Sequence, residues 1–121
     1  FGDSNLVRLK TAAGHQILMH DTEGFMYISN SEGTAWVELT KSGDILIFGQ
    51  RDMSVRTQGN LMMHSDRNIS FNAGGNFRVH AAGGVNMQAA TITNSASNTL
   101  NFYGRQAQLK SGGALRSVWE L

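Results

Sequence analysis

From Asp44 onward the chain repeats every eight residues, and that repeat restricts its fold more than any other feature. Octads begin at Asp44, Asp52, Asn60, Asn68, Asn76 and Gly84. The second position of each is apolar: Ile45, Met53, Leu61, Ile69, Phe77 and Val85. The fourth is also apolar: Ile47, Val55, Met63, Phe71, Val79 and Met87. The residue before each octad is Gly43, Arg51, Gly59, Arg67, Gly75 or Gly83. A register held through six cycles is an internal repeat, and a repeat sets architecture before other signals are weighed.

Apolar residues two apart lie on one face of an extended chain. Each octad therefore reads as a short strand followed by a corner. Gly, Asn and Asp suit the corner because they adopt left-handed backbone angles at low cost. The sixth position is small throughout (Gly49, Thr57, Ser65, Ala73, Ala81, Ala89), as a crowded inner corner requires. The alternate positions are mostly polar, with Leu46, Phe48 and Met62 as departures. A helix is excluded by the pair spacing of two and by poor helix propensity from Asn68 to Ala89.

One octad makes one wall, and a closed prism needs about three. A single chain would complete only about two turns with these octads, too few to bury a core. Three chains wound about one axis solve the problem. The expected fold is all-β: an intertwined trimeric, triple-stranded β-helix or β-prism shaft with a short strand-and-turn entry segment. The twelve apolar slots given above are the expected lining of the trimer axis. Residues 1–43 are read as entry strands, and residues 44–121 as the octad shaft with a C-terminal tip. Within the entry, residues 1–13 read as a connecting strand. Gln16–His20, Phe25–Ser29, Ala35–Leu39 and Asp44–Phe48 then alternate with glycine-bearing turns. After Gly84 the beat slips by one residue. Ile92, Leu100, Phe102, Ala107 and Leu109 resume it, and Thr91, Thr93 or Ser95 are candidates for inward polar positions that hold axial water or ions. Leu115, Val118, Trp119 and Leu121 form the candidate tip.

Composition narrows the function classes. The 121 residues include no cysteine, so redox chemistry says nothing of compartment, and no proline, which suits uninterrupted strand stacks. The formal net charge is +1, with charges dispersed. That leaves no electrostatic footprint for nucleic acid, which is not an expected partner. No apolar run approaches the ~20 residues of a membrane span. The chain starts at Phe1 rather than Met, and is expected to be a fragment whose natural start lies elsewhere.

Gly14-His15-Gln16-Ile17-Leu18-Met19-His20-Asp21-Thr22-Glu23-Gly24, Trp36-Val37-Glu38-Leu39 and Gly43-Asp44-Ile45 resemble the segment leading into the β-helix of contractile-tail spike proteins. These are the phage baseplate hub spikes and the valine–glycine repeat proteins of type VI secretion. Gly59-Asn60 and Gly75-Asn76, each followed by an apolar pair, resemble the same family's octad shaft. The resemblance spans roughly residues 14–90. It implies a homotrimeric, non-enzymatic structural needle at the baseplate of a phage tail, held by upstream hub proteins and driven through the bacterial outer membrane. The implied location is the virion, with action at the outer membrane and periplasm. A type VI secretion spike and a trimeric receptor-binding fibre or adhesin are the alternatives. The oligonucleotide/oligosaccharide-binding-like domain that usually precedes such a shaft is not in this sequence, nor is a lysozyme-like domain. The His-x-His motif of an iron-binding apex does not occur either. The tip is then metal-free, closed by the apolar end around Trp119, or covered by a separate capping protein.

No catalytic, cofactor-binding or metal-binding residue is assigned. His15, His20, His64 and His80 are the only histidines. His64 and His80 fall on the outer parity, and His15 reads as a structural hydrogen-bonding residue. Asp21, Glu23, Glu32 and Glu38 lie in turns at varied phase, without the pairing that glycoside hydrolysis needs. No P-loop or HExxH motif occurs. Met53, Met63 and Met87 read as adaptable core filler; a lipid tail or other apolar guest is the sharper alternative. Arg51, Asp52, Asp66 and Arg67 are candidates for exposed ion pairs around the shaft, each contributing little.

Overall fold

A computed structural model describes residues 5–110 and residue 112. The candidate tip residues Leu115, Val118, Trp119 and Leu121 lie outside them. The described chain is all-β, and none of it is helical. It divides into two compact units, Phe1–Ile69 and Ser70–Leu121.

The first unit holds a five-stranded antiparallel sheet in which every strand pairs with the next: β1 (Leu6–Lys10), β2 (Gln16–His20), β3 (Phe25–Ser29), β4 (Ala35–Leu39) and β5 (Ile45–Gly49). The expected entry strands are present. The last begins one residue later than the sequence suggests, because Asp44 belongs to the turn. Its N–H bonds Thr40 Oγ1 at 3.0 Å, and its carbonyl accepts from Thr40 N–H at 3.0 Å. The first octad is thus hydrogen-bonded into the sheet along its whole apolar stretch, from Ile45 opposite Leu39 to Gly49 opposite Ala35.

The turns share a chemistry. Each ends on a glycine at positive φ: 107° at Gly14, 72° at Gly24, 69° at Gly33 and 91° at Gly43. At Gly24 a Cβ would also lie 2.9 Å from Lys41 Cγ and Cδ, so only glycine fits without a shift. Three turns open on a side chain that accepts from the backbone four residues on: Thr11 from His15 N–H, Asn30 from Thr34 N–H and Thr40 from Asp44 N–H. Such local bonds are why Thr and Asn favour turns. Asn30 does most. Its Oδ1 accepts from Thr34 N–H at 2.9 Å and Ala35 N–H at 3.2 Å, and its Nδ2 donates to Thr34 Oγ1 at 2.7 Å. Asn30→Ala is expected to cost about 2 kcal/mol per chain, at about 1 kcal/mol for each backbone bond lost. Denaturant unfolding measures this as a lower midpoint at unchanged slope.

His15 links two turns. Its Nδ1 accepts from Ser31 N–H at 2.9 Å while its carbonyl closes the first turn on Thr11 N–H. It is the hydrogen-bonding residue expected from its position.

After β5 the chain of the first unit forms no strand and bends sharply at 50–51, 58–59 and 66–67. In the second unit the bends fall at 74–75, 82–83, 90, 97–98, 104–105 and 112. The corners thus recur at the octad period, then tighten to about seven residues. Among the described residues, no backbone hydrogen bond joins the walls between these corners to one another.

Candidate functional site: an uncovered apolar face

Strand register sorts the sheet into two faces, because residues directly opposite point the same way. Ile17 faces Leu9 and Ile28; Ile28 faces Val37; Val37 faces Ile47. Val7, Met19, Met26, Leu39 and Ile45 complete this face, with Ala35 and Gly49 at one end. Every residue on it is apolar. The other face mixes Arg8, Gln16, His20, Ser29 and Glu38 with Leu18 and an aromatic series.

Within the single chain the mixed face is the better covered. Trp36 stacks on Phe48 with ring centroids 5.4 Å apart and meets Tyr27 at 6.0 Å, while His20 stacks on Phe25 at 5.5 Å. Such pairs contribute roughly 0.5–1.5 kcal/mol each beyond their burial. The apolar face has no equivalent cover. Ile28, in the central strand, remains 48% exposed. No hydrophobic side chain among the described residues is buried; the sole buried side chain is Ser29. A contiguous exposed apolar face of this kind marks an interaction surface.

Ile45 and Ile47 lie on this face, and they are the first two of the twelve slots read from the octads. In the first unit Met53, Val55, Leu61, Met63 and Ile69 follow at the same phase relative to each corner. In the second unit Phe71, Phe77, Val79, Val85 and Met87 do so. Phe71 and Phe77 lie on successive walls, and their rings meet across the corner at 5.7 Å. Within the second unit these two slots of adjacent walls therefore lie on the same side. All twelve are exposed in the single chain, from 50% at Ile69 to 70% at Met87.

Two of the three departures from a polar outer face have structural reasons. Phe48 packs on Trp36, and Leu46 sits opposite Glu38 on the mixed face. Met62, 85% exposed, packs against nothing that explains it. The aromatic series through Tyr27, Trp36 and Phe48 escapes a reading of the repeat alone. Its signal was the ten-residue strand spacing, which sets Trp36 opposite Phe48 and Tyr27 diagonal to Trp36.

The corners after Gly84 settle which residues resume the beat. In the octads the apolar slots stand two and four residues past the end of each bend. The same offsets after 90, 98 and 105 select Ile92 with Asn94, Leu100 with Phe102, and Ala107 with Leu109. By the same offsets Asn94 shares the parity of the apolar slots, and Thr91, Thr93 and Ser95 take the opposite one.

His64 Nε2 lies 3.1 Å from Asp66 Oδ1, but both side chains are almost wholly exposed, on the outer parity. His80 is exposed as well. Among the described residues no group of three His, Cys, Asp or Glu side chains could hold a metal ion, and no helix is long and apolar enough to cross a membrane. Comparison of the chain with protein-family profiles, with curated proteins and with solved structures finds no match.

Proposed function

We propose that this chain is the shaft-bearing part of a homotrimeric, membrane-piercing spike at the tip of a contractile phage tail. The observation that carries the trimer is the uncovered apolar face, with the slots at its phase along the octads. A second and a third copy of the same chain supply what one copy lacks: a dry side for the apolar slots, and strand partners for the walls. Extended backbone without partners is costly to bury, so walls that line a core must pair with other chains. The absence of proline leaves every residue of the repeat a donor for that pairing. Antiparallel entry strands and tightly stacked walls then make a stiff rod, and unfolding one chain would strip walls from the other two. Such topology implies slow unfolding. The spike role itself rests on the resemblance of the entry segment and octads to contractile-tail spikes, and a type VI secretion spike shares the same shaft.

Sedimentation equilibrium tests the assembly. The expected mass is three times the 13.2 kDa of the chain, independent of dilution into the nanomolar range; a monomer overturns the reading. Glycan-array binding by the trimer would move the assignment to a receptor-binding fibre. The genes beside this one separate phage from secretion system.

A further inference from the structure

We infer that Asn94 fixes the register in which three copies of this chain interlock. The inference rests on the trimeric reading above. Bend offsets place Asn94 in a wall slot otherwise filled by apolar residues, between Met87 and Phe102 along the chain. From Met53 to Met87 the slots are uniformly large and apolar, so one octad can replace the next against neighbouring copies at little cost. A repeat of this kind permits a chain to dock eight residues out of step, with the surplus looped out. Uniform apolar patterning specifies pairing weakly.

Asn94 removes that degeneracy. In register, three carboxamides meet at one level, and each can donate to the next and accept from the one before. Out of register, a carboxamide faces Met87 or Phe102 of its neighbours and stays unpaired, which is unfavourable for a buried polar group. A single polar residue in an apolar seam sets register in coiled coils by the same logic, at some loss of stability. The position fits as well: Asn94 sits where corner spacing contracts from eight residues to about seven, beyond the stretch of interchangeable octads.

The chain contains no cysteine, so a single label site is clean. Ser70→Cys on the outer parity would carry a nitroxide, and pulsed electron–electron resonance would read label-to-label distances in the trimer. The Asn94 protein should give one distance. Asn94→Leu should form a trimer with a higher melting temperature and a second, longer distance. Moving the polar layer back by one wall, in Met87→Asn with Asn94→Leu, should restore a single distance. One distance in Asn94→Leu, or two in the relocated variant, overturns the inference while leaving the trimer intact. A monomeric parent protein overturns the trimeric reading itself, and this inference with it.

Discussion

Ile69→Asp is expected to abolish assembly. Among the twelve slots Ile69 is the least exposed in the single chain, at 50%, and in a trimer the slot occurs three times around the axis. Losing a buried Ile forfeits roughly 1.5–3 kcal/mol per copy. Three carboxylates at one level add mutual repulsion and the cost of burying charge, which protonation relieves only in part. The total is on the order of 10 kcal/mol, comparable with the whole stability of a typical domain. The neighbouring Ser70→Asp changes the opposite parity and should leave the trimer unaltered. Electrophoresis of unboiled samples in SDS, alongside sedimentation, reads both. A Ser70→Asp trimer beside an Ile69→Asp monomer fixes the inward side of the octads; an SDS-resistant Ile69→Asp trimer would reject it.

Periodicity carries the strands and corners because both depend on local chemistry. Alternating apolar residues bounded by Gly, Asn and Thr yield the five strands: three with the expected bounds, one shifted by a residue where Asp44 is held by Thr40, and the first confined to Leu6–Lys10 within the connecting stretch 1–13. The corners from 50 to 83 fall on the octad period because glycine, asparagine and charged residues recur there. What periodicity does not carry is pairing. That Trp36 meets both Tyr27 and Phe48 follows from the lengths of the connecting turns, which set register between strands. Asn94 is hidden for a related reason: its parity is defined by corners at 90 and 97–98 that carry no glycine. Ala90 and Ser97 look like ordinary wall residues until the bend is seen.

The two units therefore pose the same physical problem. In each, a series of large apolar side chains at one phase lies open to solvent, and the segments beyond β5 have no strand partners of their own among the described residues. Side chains on one face can be buried by any apolar surface, but backbone donors in extended walls require another extended chain. A globular partner would meet the first need alone; further copies of this chain, as proposed above, would meet both.

The sheet offers the second decisive test, since adjacent residues of β3 lie on opposite faces. Ile28 is opposite Ile17 on β2 and Val37 on β4, at the middle of the apolar face. Tyr27 is opposite Leu18 and Glu38 and rests against Trp36 on the mixed face. Ile28→Asp should release monomers, because each copy would place a carboxylate in the seam between chains at a cost of several kcal/mol. Tyr27→Ala should lose about 1–2 kcal/mol from the aromatic contact and its burial, with assembly retained. A hydrophobic dye sharpens the comparison: Ile28→Asp should bind it strongly as the apolar face opens, and Tyr27→Ala should bind no more than the parent. If Tyr27→Ala instead dissociates the protein while Ile28→Asp stays trimeric, the copies meet through the aromatic face, and the apolar face must be covered by a different protein.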